Sequence, residues 1–269
     1  MAGLSRVAAP LILALLVAAC GGGSPQRRAP QPPPPTVMDS SRCRPPAQHP
    51  FPVVLVHGTF ADTDWALIGP ALARRGYCVF TFSYGRNGTG EISRSAHELA
   101  VYVDRLLART HARKVSIVGH SEGGMMPRYY IRFLGGASKV DDLIALAPSN
   151  HGTENPLGLV GAWYGCEACA QQLAFGSPFL ERLNAGDETP GAVDYTVIQT
   201  AFDDVVIPYS SAFLNGPTRR VTNVILQRAC RDDPSRHLDV TTDPVALQWV
   251  ENALGRRGPA DSAFRPRCG

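Results

Sequence analysis

Residues Gly119-His120-Ser121-Glu122-Gly123 are the stretch of this chain whose types and spacing best fit chemistry. Lys114 to Val118 ahead of them is β-rich and apolar, and Glu122 to Leu134 behind them reads as a helix. A serine on a sharp strand-to-helix turn has its hydroxyl lifted above the sheet, where an incoming carbonyl carbon can reach it. The flanking glycines suit a turn that packs helix against strand with no room for Cβ atoms. A serine hydroxyl is a weak nucleophile, so it needs a base, and the base needs an orienting acid.

On such an elbow the chain order is serine, then acid, then histidine, with the acid following a late strand. Tyr195 to Thr200 reads as that strand, and Asp203 and Asp204 come directly after it. Successive side chains point opposite ways, so one of the two can face the base; Asp203 is the first choice. Asp187 and Asp194 precede the strand and read as surface charges. Of seven histidines only His237 follows the acid, in a loop before the last helix. His49 lies in the entry loop, and His97 and His111 on or beside a surface helix. His57 and His120 read as structural, and His151 as a loop histidine. Two backbone N–H groups should face the developing oxyanion. Glu122, at a helix N-terminus, supplies one, and the loop after the first strand supplies the other, from Thr59 or alternatively Phe60. A carboxylate beside an oxyanion would repel it, so the Glu122 side chain is expected to point away, to the surface or to a helix-capping position.

The elements that must hold these residues are legible from periodicity. Phe51 to Val56 reads as a buried strand, Trp65 to Arg75 as a helix closed by Gly76, and Tyr77 to Phe82 as a strand. Ser93 to Arg109 places Ala96, Leu99, Ala100, Val103, Leu106 and Leu107 on one helical face. Further strands are expected at Leu143 to Ala147 and Val221 to Leu226. A closing helix over Val245 to Leu254 turns Ala246, Trp249, Val250 and Ala253 inward. Strands alternating with helices define an α/β class: a mostly parallel sheet with helices on both faces. Between Pro148 and Gly191 the rhythm breaks. That insertion carries Trp163, Tyr164, Phe175, Phe179 and Cys166/Cys169, and it is expected to line a pocket above the sheet.

The 269 residues carry a formal charge of +3 with both signs dispersed, which leaves no nucleic-acid footprint. Residues 1–19 read as an export signal: Arg6 is followed by an apolar run from Val7 to Ala19, short of the roughly 20 residues that span a bilayer. The run ends Val17-Ala18-Ala19-Cys20, like the cleavage box of lipoproteins, which makes Cys20 the candidate lipidation site and membrane anchor. Ordinary secretion is the alternative. Removing Cys20 leaves six of the seven cysteines, an even number that suits an exported protein. Residues 20–42, with Gly21 to Gly23 and Pro32 to Pro35, read as a tether, and residues 43–269 as the catalytic domain.

Several stretches together resemble the bacterial extracellular lipases of the class 2 type, within the α/β-hydrolases. They are Pro52 to Thr59, Gly76-Tyr77-Cys78-Val79-Phe80, Gly119 to Gly124, His151-Gly152-Thr153, Phe202 to Tyr209, and Asn223-Val224-Ile225-Leu226-Gln227. The resemblance implies an α/β-hydrolase fold and hydrolysis of lipid-like esters, with no cofactor. It supports Ser121, Asp203 and His237 as a catalytic triad. It also suggests the disulfides Cys43–Cys78, Cys166–Cys169 and Cys230–Cys268. A Cys-x-x-Cys also suits redox or zinc chemistry, but no two further zinc ligands stand out at matching spacing. Glu122 departs from the family, where a neutral side chain is more usual. Two other classes use the same features: an acyltransferase with the same triad, and a non-catalytic lipid-binding lipoprotein.

Overall fold

The computed structural model describes residues 43–60 and 64–269. The export segment, the tether and Cys20 lie outside the described residues. Among those described, no helix is long and apolar enough to cross a membrane.

The chain runs β1 (Val53–Val56), α1 (Ile68–Arg74), β2 (Val79–Phe82), a short turn α2 (Gly85–Gly88), α3 (Ile92–Thr110), β3 (Val115–His120), α4 (Glu122–Phe133) and β4 (Val140–Leu146). Three helices then fill the expected insertion: α5 (Pro156–Trp163), α6 (Glu167–Gln171) and α7 (Pro178–Asn184). After it come β5 (Asp194–Gln199), β6 (Val221–Ile225), a single turn α8 (Leu226–Ala229) and α9 (Pro244–Leu254).

The six strands form one sheet in the order β2-β1-β3-β4-β5-β6, every pair parallel. Parallel strands need long crossovers, and these carry the helices to both faces. Each face therefore has its own core, and alternate residues of β1 belong to opposite ones. Val54 and Val56 pack with Ile92, Leu99 and Val103 of α3 and Met125 of α4. Val53 and Leu55 pack with Ile68 and Leu72 of α1 and Trp249 and Val250 of α9. Because both faces are covered, β1 and β3 are buried throughout, which is why they read as continuous apolar runs.

Local chemistry sets the helix ends. The Glu91 carboxylate accepts from the N–H groups of Ser93 and Arg94 at the start of α3, and Asp243 caps α9 through Ala246 with Pro244 in the first turn. The strand order reverses at β1, which pairs with β2 on one side and β3 on the other. In an open parallel sheet that switch point opens a crevice at the carboxyl ends of the strands. The loops carrying Thr59 and Ser121 leave the sheet there.

Three disulfides join Cys43 to Cys78, Cys166 to Cys169 and Cys230 to Cys268. The Cys-x-x-Cys pair is thus bonded to itself rather than available to a metal.

Candidate active site

Ser121 sits at φ 54° and ψ −123°, between the last residue of β3 and the first of α4. A side chain with positive φ is strained, and such strain is held only where the surroundings over-determine it. Here they do: the Ser121 N–H donates to Leu146 O of β4, and Gly124 N–H returns to Ser121 O. The glycines are required by close approach. A Cβ on Gly119 would lie 1.8 Å from Gly123 O, and one on Gly123 would lie 2.2 Å from His57 O at the end of β1.

His237 and Asp203 meet across 34 residues of sequence. His237 Nδ1 lies 3.0 Å from both carboxylate oxygens of Asp203, and both side chains are buried. Asp203 Oδ1 also accepts from the backbone N–H groups of Val205 and Val206, which fixes the carboxylate plane. Asp204 points to solvent and pairs with Arg236 at 3.5 Å.

The loop around His237 is held from several sides. His120 Nε2 bonds the His237 carbonyl at 2.9 Å, the Thr200 hydroxyl donates to Ser235 O, and Ser235 Oγ donates to Asp243. Gln227 spans the two halves, accepting from Ala201 N–H and donating to Thr200 Oγ1 and Asp233 O. Thr153 does the same for the acid loop: its hydroxyl donates to Val205 O and accepts from Ile207 N–H. The motif stretches that end at Gln227 and Thr153 therefore position the acid and histidine loops. Their roles could not be derived from spacing, since each acts through backbone groups far away in sequence.

His57, His120 and His151 are each held by neighbours. His57 stacks on Tyr84 with ring centroids 4.4 Å apart, and Tyr84 donates to His57 O, which steadies the loop before Thr59. His120 is fully buried, and burial followed by the neighbouring His237 lowers its pKa to about 3, so it stays neutral. His151 bonds Ser211 O and Glu188, while His97 and His111 are exposed.

Glu122 corrects the reading of its side chain as surface or capping. The carboxyl is fully buried, and its Oε2 accepts from the Thr59 hydroxyl at 2.6 Å and from Gln172 Nε2 at 3.4 Å. Burial raises its pKa from 4.5 to about 8, against smaller opposing hydrogen bonds from Thr59 and Tyr84. As the first residue of α4 its backbone N–H has no acceptor within its own helix.

A cavity of about 260 Å³ opens over these residues, lined by Thr59, Ser121, Gln172, Val206, His237 and Leu238 among others, and its wall is largely apolar. The insertion does line it, through Ser149, Thr153, Leu157, Cys169 and Gln172. Its aromatics do not: Trp163, Tyr164 and Phe175 are exposed, and Phe179 stacks on Tyr129. A larger cavity, about 630 Å³, lies at the opposite end of the sheet between Tyr77, Ser116, Asp142 and Asp194. Asp194 is half-buried there, its carboxylate accepting from Gly258 N–H, and so is more enclosed than the surface charge expected. That cavity holds none of the elbow, histidine or acid-loop residues.

The parallel sheet, the crossover helices and the serine elbow at the switch point define an α/β-hydrolase. Solved structures share the architecture. Aspergillus fumigatus lipase B superposes with a TM-score of 0.69 at 24% identity, covering 78% of this chain and 53% of its own. The Bacillus licheniformis lipase BlEst2 in its propeptide form superposes at 0.62 with 14% identity, covering 83% and 54%. Within that class the chain belongs to the class 2 lipase family, whose model matches residues 50–250.

Curated relatives align over shorter stretches. A triacylglycerol lipase of Pseudarthrobacter phenanthrenivorans is 37% identical over 94 residues, 29% of this chain and 27% of its own. A triacylglycerol lipase of Vibrio cholerae serotype O1 is 36% identical over 105 residues, 37% and 31% respectively. The chain thus spans less than a third of the length of these relatives.

Proposed function

We propose that this protein is a serine hydrolase of carboxylic esters, with lipid esters as its substrate class and Ser121, His237 and Asp203 as its triad. The observation that carries the reading is the buried Asp203–His237 pair opening onto the same apolar cavity as the elbow serine. Ser121 Oγ attacks the ester carbonyl and passes its proton to His237 Nε2, while Asp203 holds Nδ1–H and stabilises the imidazolium. The oxyanion of the tetrahedral intermediate accepts from the backbone N–H groups of Thr59 and Glu122. Collapse expels the alcohol with the proton from His237, and water repeats the sequence on the acyl-serine to release the acid. No cofactor enters these steps.

An apolar acyl chain suits the cavity wall, and the surface beside it supports a lipid substrate. Helix α5 reads Pro-Leu-Gly-Leu-Val-Gly-Ala-Trp and none of its residues is buried. Leu157, Leu159, Val160, Trp163 and the adjacent Tyr164 are all more than half exposed, with Phe60 and Leu238 exposed at the cavity. A helix that is apolar on every side is ordinarily buried, so one left open marks a surface meant for apolar contact. The three disulfides fit folding in an oxidising, extracytoplasmic compartment, and the Cys20 anchor would hold the enzyme at a membrane.

The test is hydrolysis of p-nitrophenyl esters from acetate to palmitate by the full chain beside Ser121→Ala. The expected outcome is turnover that disappears in the variant, with fluorophosphonate labelling of Ser121. A folded protein that neither turns over nor labels would overturn the assignment. Acyl transfer to an added alcohol in place of hydrolysis would move it to a transferase.

A further inference from the structure

A second series of hydrogen bonds runs along the pocket wall, separate from the Asp203–His237 pair. Ser149 Oγ donates to Gln172 Oε1 at 2.6 Å, Gln172 Nε2 donates to Thr59 Oγ1 at 2.9 Å, and the Thr59 hydroxyl donates to Glu122 Oε2 at 2.6 Å. The chain starts in the loop after β4, passes through the C-terminal cap of α6 and ends on the residue that follows the nucleophile. Glu122 Oε1 is buried and finds no hydrogen-bond partner among the described residues. The nearby Tyr84 hydroxyl donates to His57 O and also lies within hydrogen-bonding reach of the Glu122 carboxyl.

A hydroxyl has one proton to donate and two lone pairs to accept with. Thr59 already accepts from Gln172. While Glu122 is a carboxylate, the single Thr59 proton is drawn to it. When Oε2 carries a proton, that proton goes to Thr59 Oγ1, which then accepts twice. The Thr59 proton is then free to turn into the cavity that Thr59 and Ser121 both line. The neutral acid also removes a negative charge one residue from the developing oxyanion. Burial favours this form, raising the Glu122 pKa to about 8. The other titratable groups around it are Tyr84 and His57, stacked on each other, with His120 and the Asp203-paired His237 on the same cavity.

Resting on the ester-hydrolase reading, we propose that Glu122 is a positioning residue that works as a neutral acid. Its proton on Thr59 releases the Thr59 hydroxyl as a third donor to the oxyanion, and its ionisation takes that donor back.

The experiment is kcat and KM for p-nitrophenyl butyrate against pH, with the full chain, Glu122→Gln, Thr59→Val and Thr59→Ser. The wild type loses kcat above about pH 8 with KM little changed. Glu122→Gln, whose amide can donate to Thr59 at every pH, keeps at pH 9 the turnover it has at pH 7. Thr59→Val lowers kcat at pH 7 on the order of a hundredfold, as loss of an oxyanion donor does, and Thr59→Ser restores most of it. The alkaline loss also shrinks in Thr59→Val, since no donor is left to withdraw, which reads the switch independently of how well Glu122→Gln folds. An alkaline limb in Glu122→Gln equal to that of the wild type, or wild-type kcat in Thr59→Val, overturns the proposal. A wild type that fails to label with fluorophosphonate and turns over at no pH removes the hydrolase reading, and this proposal with it.

Discussion

Asp203 presents both carboxylate oxygens to His237 Nδ1 at 3.0 Å, and one of them also accepts from two backbone N–H groups, while its neighbour Asp204 faces solvent. Replacing Asp203 by Asn leaves the shape but favours the wrong tautomer of His237, and kcat should fall about 10⁴-fold. Asp204→Asn removes only an exposed ion pair with Arg236, so kcat should stay within about twofold. Steady-state kinetics on a soluble ester decides between them, and equal losses in the two variants would discredit the assignment of roles.

Glu122 should make stability depend on pH. Its folded pKa, about 8, lies above the ordinary 4.5, so between those values the fold holds a proton that the unfolded chain has released. Stability on this account is full below about pH 4.5, declines as pH rises, and levels off past about pH 8. The whole step is at most on the order of 5 kcal/mol. His120 acts in the opposite sense, since its lowered folded pKa costs stability as pH falls below 6.5. Urea unfolding of wild type and Glu122→Gln from pH 4 to 9 isolates the first effect. The variant should gain relative stability with rising pH, and parallel curves would mean that Glu122 is ionised throughout.

The apolar helix can be separated from the chemistry. Trp163 is 88% exposed and Leu159 is 61% exposed, and neither lines the cavity. Serine at both positions should change stability by no more than about 0.5 kcal/mol each. Hydrolysis of an emulsified long-chain triacylglycerol should fall severalfold, and that of a soluble butyrate ester should not. A matched fall on both substrates would point to the fold rather than to surface contact.

The disulfides should differ in worth. Cys230–Cys268 closes a sequence separation of 38 residues and Cys166–Cys169 one of 3. Loop-closure entropy puts the first at about 4 kcal/mol and the second at about 2 kcal/mol. Serine variants of each pair, compared by denaturant midpoint, test the ranking. A larger loss from the short bridge would show that it holds the α5–α6 junction by contacts rather than by chain entropy.

Much of this molecule was legible along the chain. Short apolar runs mark the strands, because the sheet is covered on both faces, and helical spacing of apolar residues marks α3 and α9, because each buries one face. The elbow glycines and the serine, acid, histidine order are equally local facts. The choice between Asp203 and Asp204 was not local in this sense: adjacent residues share a sequence context, and the turn closed by Val205 and Val206 and held by Thr153 decides which one meets His237. The inward turn of Glu122 is likewise not a local property. Its environment is made by Thr59, 63 residues away, and Gln172, 50 residues away, so only the packed chain could turn a carboxyl beside Ser121 inward and raise its pKa by burial. The exposure of α5 also belongs to the tertiary structure, because an apolar helix read alone cannot reveal that the other described residues leave most of it uncovered.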